Sequence, residues 1–179
     1  MDLKRRKRKT VNFKILLGFI IFAFAFLIYA CRYSFTGASV PPHLKTIAIP
    51  VFDDQSGYGR ATLREELTQK IVERFIQDNT LKIADRNTAN SILEGVILSV
   101  QDNPVVVGSG ERIKKSRITI TVRVSFYDMV QRTKVWERTF SNWGEYDLEG
   151  NVQLNLQLGI QQAIEKLSED ILLATVANW

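Results

Sequence analysis

The sequence predicts an α+β fold: two helices packed on one face of a mostly antiparallel sheet of four strands, or of five if one short strand is included. Two patterns lead to this prediction. Residues 117–126 alternate apolar and polar side chains, as a strand in a half-buried sheet does. Residues 61–78 and 155–177 repeat apolar side chains at helical spacing. With the elements described below, the predicted chain order is β-α-β-β-β-α.

The first 30 residues are predicted to be a signal peptide that is not part of this fold. Residues 4–9 read KRRKRK, and residues 15–30 form an uncharged apolar run. A helix of that length would span ~24 Å, less than the ~30 Å hydrocarbon core of a bilayer. A basic region before a short apolar run is typical of an export signal, and its basic end stays in the cytoplasm. The chain after residue 30 is therefore expected to be exported.

Cys31, the only cysteine of the sequence, directly follows this segment. Residues 28–31 read IYAC, which resembles the lipobox of bacterial lipoproteins, with the small Ala30 before the cleavage point. The resemblance implies that Cys31 carries a diacylglycerol and an N-acyl chain, enough apolar length to hold a domain at a bilayer. Arg32, in place of an aspartate, implies sorting to the outer membrane. The alternative is an uncleaved signal anchor with an incidental cysteine.

Removing the signal changes the charge of the chain. The full sequence has 24 basic and 19 acidic residues, of which the first 30 residues contain seven and one. This leaves 17 basic and 18 acidic residues in the exported chain, a net charge of −1. Nucleic-acid-binding domains usually carry a basic excess, so no nucleic-acid partner is expected.

A tether and three elements are predicted before residue 90. Residues 31–44, rich in small and turn-forming side chains, form the tether to a single domain at 45–179. The domain begins with a strand at 45–52, and Pro50 marks its edge or end. A loop follows, and the helix at 61–78 is amphipathic because charged side chains cover its outer side. The short run after that helix, LKIAD, is the optional fifth strand.

The second half of the domain supplies three strands and the last helix. Residues 91–100 are apolar enough to be a largely buried strand, and Gly95 indicates a bulge or a close contact. A long connection at 101–116 leads to the alternating strand at 117–126, and a turn leads to its hairpin partner at 133–142. The closing helix is preferred over a strand because its helical stripe is longer. Both helices need one face of the sheet, which leaves the other face for solvent or a partner.

Several segments of the exported chain form a combination typical of one family. They are Cys31-Arg32-Tyr33-Ser34-Phe35-Thr36-Gly37, Thr46-Ile47-Ala48-Ile49-Pro50-Val51-Phe52, the strands at 89–100 (ANSILEGVILSV) and 117–126, and a long last helix that ends Ala177-Asn178-Trp179. The combination resembles the LptE family, outer-membrane lipoproteins of lipopolysaccharide assembly. The resemblance covers essentially the whole exported chain.

The resemblance implies a role without catalysis. LptE proteins lie inside the lumen of a large β-barrel, LptD, as plug and assembly partner, and help to present lipopolysaccharide for insertion into the outer leaflet. The partners implied are therefore an LptD-type barrel, lipopolysaccharide and the membrane that holds the anchor. No cofactor is implied apart from the covalent diacylglycerol and N-acyl chain on Cys31. The implied location is the periplasmic side of the outer membrane.

A site for lipopolysaccharide should combine cations for its phosphates with apolar side chains for its acyl chains. Arginine can fork two hydrogen bonds to a phosphate, and lysine supplies a point charge. The candidates are Arg112, Lys114, Lys115 and Arg117 in or beside the long connection, and Arg132 and Lys134 on the hairpin turn. The two groups are predicted to face the same end of the sheet. The alternative is that these charges only keep a loop and strand ends soluble.

Two other classes of function fit parts of the sequence. The opening strand, loop and helix also resemble curli-secretion-like and TolB-like amino-terminal domains, which would make the protein an oligomeric or periplasmic secretion-accessory lipoprotein. A periplasmic enzyme is disfavoured because no nucleophile–base or paired-carboxylate constellation is evident. His43, the sole histidine, lies beside two prolines and is predicted to have no chemical role. Asp53 and Asp54 lack the further oxygen ligands of a calcium site, so no metal is expected.

Overall fold

The computed structural model describes residues 40–105 and 114–177, which form one sheet and two helices. The strands are β1 (Thr46–Ala48), β2 (Asp53–Asp54), β3 (Lys82–Ile83), β4 (Ser91–Val105), β5 (Lys115–Asp128) and β6 (Thr133–Asp147). The helices are α1 (Leu63–Asp78) and α2 (Val152–Val176). The predicted signal peptide, Cys31 and Arg112 lie outside the described residues.

The sheet is mixed. Its hydrogen-bonded order is β3-β1-β4-β5-β6, and β2 pairs separately with β4. The pairs β1–β3, β1–β4 and β2–β4 are parallel, whereas β5 runs antiparallel to both β4 and β6. The predicted α+β fold with two helices is confirmed. The prediction of a mostly antiparallel sheet is wrong. The optional fifth strand is present as β3, and the unpredicted β2 brings the sheet to six strands in the chain order β-β-α-β-β-β-β-α.

The predicted first strand is divided, which accounts for the additional strand. Pro50 lies between β1 and β2 and has no N–H to donate to a neighbouring strand. The chain therefore leaves the ladder after Ala48 and pairs again at Asp53, beside Val96 of β4. A strand of two residues has no periodicity that a sequence pattern could reveal.

The predicted connection at 101–116 is strand at both of its ends. β4 continues to Val105 and β5 begins at Lys115, so these strands form a long hairpin with β6 beside it. β4, β5 and β6 have 15, 14 and 15 residues, which is ~45–50 Å each at the usual rise. We call the end where β5 begins the loop end. The opposite end, with the β5–β6 turn at 129–132, is the turn end.

Both helices pack on one face of the sheet. Alternate side chains of β5 are fully buried there, from Ile118 to Phe126, in one core with the apolar stripes of α1 and α2. The remaining side chains of β5, such as Thr119 and Arg123, project from the opposite face, which we call the open face. Among the described residues, neither helix is long and apolar enough to cross a membrane.

The helix ends follow from local capping. α1 ends at Asn79, which adopts the left-handed conformation (φ 58°) and donates its N–H to the Phe75 carbonyl. α2 begins three residues before its predicted start because the Asn151 side chain accepts the Leu154 N–H.

The described chain enters the domain at the turn end. Thr46 of β1 lies beside Lys82, and Ile47 lies beside Ser91, the first residue of β4. Just before β1, Leu44 is buried in the core and Val40 packs against it. The last residues of the predicted tether are thus part of the packed structure.

Candidate functional site

The described candidates for lipopolysaccharide binding fall into two groups at opposite ends of the sheet. They are Lys114, Lys115 and Arg117 at the loop end, and Arg132 and Lys134 at the turn end. Lys115 pairs with Asp147, whereas Asp128 at the other end of β5 pairs with Thr133. The length of β5, ~45 Å, separates the two groups. The prediction that they face the same end is wrong, because the chain reverses only after β5 has crossed the whole sheet.

At the loop end, the two lysines lie beside two acidic side chains: Asp147, the last residue of β6, and Glu149, which follows it. Lys114 Nζ is 3.8 Å from Glu149 Oε1, and Lys115 Nζ is 4.0 Å from Asp147 Oδ1. All four side chains are exposed. Exposed pairs at this distance typically contribute ~0–1 kcal/mol to stability. Both lysines can therefore move to an anionic ligand at little energetic cost.

Arg117 is held more firmly on the open face. Its Nη2 donates to Glu145 Oε1 at 2.6 Å, and its guanidinium lies 4.0 Å from the centroid of the Trp143 ring. Lys166 from α2 approaches the same ring at 3.9 Å and donates to the Trp143 carbonyl. The hydrogen bond from Arg117 lowers the pKa of Glu145, so this acid remains ionised at neutral pH. Trp143 is thus an exposed aromatic side chain between two cations.

A polar cluster on the helix side fixes the strand ends at the loop end. Asp102 accepts hydrogen bonds from Ser116 Oγ and Tyr146 Oη, both at 2.5 Å. Burial, and then the hydrogen bond to Asp102, raise the pKa of Tyr146, so its hydroxyl stays protonated. The cluster joins β4, β5 and β6 where the segment 106–113 connects two of them. The cations of the loop end therefore project from a fixed base.

The open face is polar and carries short cross-strand contacts. Thr121 and Ser141 hydroxyls are 3.0 Å apart, and Ser125 donates to Glu137 at 2.9 Å. Arg123 is exposed between them. Such a face offers hydroxyl and charged groups to a partner surface, and polar, hydrated contacts are common in protein interfaces.

At the turn end, His43 forms a contact that the sequence did not predict. Its Nε2 lies 2.6 Å from Oδ2 of Asp128, which is almost fully buried. The other Asp128 oxygen accepts the N–H groups of Val130 and Gln131, which closes the β5–β6 turn. Burial opposes ionisation of Asp128, but these N–H groups and His43 outweigh it and lower the pKa of the carboxyl. The partners are 85 residues apart, so no local pattern could reveal them.

A groove of about 340 Å³ lies between the two helices and is lined mainly by polar side chains of both. Glu165 of α2 contacts Lys70 Nζ at 2.6 Å, and it also pairs with Arg74 of α1. The hydrogen bond from Lys70 lowers the pKa of Glu165, the opposite of what a general acid requires. These contacts join the two helices. In the described ranges, no group of three or more His, Cys, Asp or Glu side chains could hold a metal ion.

Comparison with known proteins gives one family. A family model described as LptE, lipopolysaccharide-assembly, matches residues 44–175. A search of curated proteins finds no significant match.

Solved structures with a similar fold share little sequence with this chain. The hypothetical protein CT253 from Chlamydia trachomatis has a TM-score of 0.53 at 11% identity, over 72% of this chain and 95% of its own. Protein XCC0632 from Xanthomonas campestris has the same TM-score and identity, over 75% of this chain and 86% of its own. The rare lipoprotein B from Shewanella oneidensis has a TM-score of 0.48 at 13% identity, over 71% and 92%. At these identities the first two show the fold alone.

Proposed function

Because the chain belongs to the LptE family of lipopolysaccharide assembly, we propose that it is a non-enzymatic lipoprotein of the outer membrane, on its periplasmic side. In this proposal Cys31 carries the acyl chains that anchor the domain. The domain fills the interior of an LptD-type β-barrel, assists its assembly and helps to deliver lipopolysaccharide to the outer leaflet. The family match over residues 44–175 is the observation that carries the proposal.

Two properties of the domain support a place inside a barrel. Strands of 14 and 15 residues are longer than the ~30 Å hydrocarbon core, so the sheet can follow a barrel wall through the membrane. The open face presents Thr121, Ser141, Arg123 and Glu137, which suit the polar interior of such a barrel. An apolar face would be expected if the domain contacted lipid along its length.

The loop-end cations support the lipopolysaccharide part of the proposal. Lys114, Lys115 and Arg117 lie together at the loop end. α2 begins shortly after β6 ends there, and its first turns carry three exposed apolar side chains, Val152, Leu154 and Leu158. Cations beside apolar side chains match the phosphates and acyl chains of the lipid. Arg112 would add a fourth cation.

The barrel partnership is tested by purification and cross-linking. Tagged protein extracted in mild detergent should bring down one large β-barrel in a one-to-one complex. A photo-reactive amino acid in place of Arg123 on the open face should cross-link to that barrel. A symmetric ring of this chain without a barrel would support a secretion-accessory role and would contradict the proposal.

The anchor is tested by mass spectrometry of the native protein. The mature chain should begin at Cys31 with a diacylglycerol and an N-acyl chain, and Cys31→Ser should abolish lipid labelling. A retained initiator methionine together with an unmodified Cys31 sulfur would refute the anchor. That outcome is independent of the barrel experiment.

A further inference from the structure

We propose that Trp143, with Arg117 and Lys166, forms a subsite for an anionic sugar, a saccharide ring that carries a phosphate or a carboxylate. The ligand is the core oligosaccharide of lipopolysaccharide, so the inference rests on the proposed function. It adds two residues, Trp143 and Lys166, that were not among the predicted candidates. It also adds a contact with the saccharide of the ligand beyond its acylated end.

The Trp143 ring lies between cations that reach it from opposite sides. Arg117, at 4.0 Å from the ring centroid, comes from β5, the inner neighbour of β6. Lys166, at 3.9 Å, comes from α2, which packs on the other face of the sheet. Since β6 is an edge strand, Lys166 can reach the open face only around the free edge. The two cations therefore flank the ring and are at most ~8 Å apart, while the rim of the indole remains exposed.

The positive charge of this cluster is only partly compensated. Lys166 forms no ion pair with any described residue, and its ammonium donates to the neutral carbonyl of Trp143. Arg117 donates to Glu145 through Nη2 alone. An ammonium has three N–H donors and a guanidinium has five, so both cations keep donors for a ligand. The cluster of Arg117, Lys166 and Glu145 thus has a net charge of +1 beside an exposed aromatic ring.

This arrangement matches an anion on a sugar better than an acyl chain. A single phosphate or carboxylate that accepts a hydrogen bond from each cation spans about the distance between them. The indole offers apolar surface and one N–H donor to the ring that carries the anion. The neighbours on the open face are hydroxyl side chains, Thr119 opposite Trp143 and Ser141 two positions before it. An acyl chain would need an apolar wall in their place.

The subsite continues the row of loop-end cations. Lys115 lies two positions before Arg117 on the same face of β5, ~7 Å away along the strand. The subsite opens at the free edge of the sheet, beside the part of the open face around Arg123 that we propose contacts the barrel. One lipopolysaccharide molecule can therefore contact Lys114 and Lys115 with its acylated end and Trp143 with its core.

The inference is tested with core oligosaccharide that has been freed of lipid A. This probe is soluble in water and does not enter detergent micelles, so its binding to the full-length protein in mild detergent can be measured by calorimetry. A second sample, dephosphorylated and with its carboxyl groups reduced, is neutral. Intact fluorescent lipopolysaccharide is measured in parallel. We expect the wild-type protein to bind the charged core and to bind the neutral core much more weakly.

Variants of the flanking cation give the sharpest comparison. Lys166→Gln keeps an amide donor for the Trp143 carbonyl but removes the charge, and should weaken binding of the charged core about tenfold. Lys166→Arg keeps the charge and should retain the affinity. The matched control is Arg138→Gln, which removes the same charge from another cation on β6, 5.6 Å from the Trp136 ring. The control should bind like wild type, and circular dichroism checks the fold of each variant.

The fluorescence of Trp143 locates the ligand. The sequence has three tryptophans, so Trp136→Phe with Trp179→Phe leaves Trp143 as the only one. Its emission should change on addition of the charged core, with the same midpoint as the calorimetric binding. Binding without any change in this emission would place the core elsewhere and would overturn the inference.

The remaining outcomes separate this inference from the proposed function. Binding of intact lipopolysaccharide without affinity for the charged core would overturn the inference alone. Equal affinities of Lys166→Gln and Arg138→Gln for the charged core, or equal binding of charged and neutral core by wild type, would do the same. A wild-type protein that binds no intact lipopolysaccharide would instead contradict the lipopolysaccharide part of the proposed function.

Discussion

Gly144 of β6 and Gly159 of α2 meet backbone against backbone. A Cβ on Gly144 would overlap the Gly159 carbonyl oxygen and lie 2.8 Å from its carbonyl carbon. α2 can therefore lie directly on β6 only because residue 144 has no side chain. This contact sets the distance between the last helix and the edge of the sheet, next to Tyr146 and the loop-end cluster.

Gly144→Ala should lower the free energy of unfolding by about 3 kcal/mol, because helix and strand must separate to admit one methyl group. Gly159→Ala is the matched control. Its Cβ would lie 3.4 Å from side-chain atoms of Ile118 and Tyr146, an ordinary contact, and alanine favours helix by ~1 kcal/mol over glycine. Chemical denaturation should thus show a large loss for residue 144 and no loss for residue 159. Equal losses would contradict this account of the contact.

A second close approach explains the glycine in β4. A Cβ on Gly95 would overlap the ring of Phe52, which is buried. From the sequence, Gly95 indicates either a bulge or a close contact. The structure shows the close contact there and places the register shift between Ile97 and Ser99.

Gly95→Ala should destabilise the domain by about 2 kcal/mol, since the buried Phe52 ring must shift within the core to admit the methyl group. Phe52→Leu should cost a similar amount by itself through lost packing. If the two side chains compete for one space, the double variant will be more stable than the sum of the single losses predicts. Additive losses in thermal or chemical unfolding would show that residue 95 is sensitive for another reason.

The sequence predicts those parts of this fold that depend on local periodicity. α1 is found within two residues of its predicted start, and β5 extends two residues beyond the predicted strand at each end. β2 escapes prediction because two residues carry no period, and its pairing with β4 depends on the path after Pro50.

The candidate site was predicted less well than the fold. Residue types suggested which cations could bind phosphate, but the end of the sheet at which each lies depends on how far β5 extends. The acids beside Lys114 and Lys115 come from the far side of a hairpin, and the His43–Asp128 pair joins residues 85 positions apart. Contacts of this kind are set by strand register, and strand register cannot be read from a single sequence.

Asp128 should make the domain sensitive to acid. Its pKa is lowered in the folded state, so the ionised form stabilises the fold above the unfolded-state value of ~3.9. This contribution is lost as the pH falls through the lower folded-state pKa. Asp128→Asn keeps one oxygen to accept the N–H groups of Val130 and Gln131 but removes the charge beside His43.

The stability difference between wild type and Asp128→Asn should be constant above about pH 5 and should shrink below pH ~4. Urea unfolding at a series of pH values measures it. Asp147→Asn, at an exposed carboxyl of the loop end, is the control and should show little difference at any pH. A difference for Asp128→Asn that grows in acid would show that the pKa shift has the opposite sign.

The loop-end ion pairs allow a test of lipopolysaccharide binding with two opposite outcomes. Lys114→Gln with Lys115→Gln removes two candidate phosphate ligands and should weaken binding at least about tenfold. Asp147→Asn with Glu149→Gln keeps both lysines and removes the acids 4.0 and 3.8 Å from them. Since an exposed pair is worth up to ~1 kcal/mol, this change should strengthen binding about two- to fivefold.

Binding of fluorescent lipopolysaccharide to the purified proteins measures both effects, and circular dichroism checks that the fold is unchanged. A change in the net charge of the whole molecule would also weaken binding in the first variant and strengthen it in the second. Lys45→Gln with Lys82→Gln therefore serves as a control, because it removes the same charge at the other end of the sheet. If that control weakens binding as much as the loop-end change, net charge accounts for both results. Only a loss confined to Lys114 and Lys115, with a gain from their acids, places the phosphate contact at the loop end.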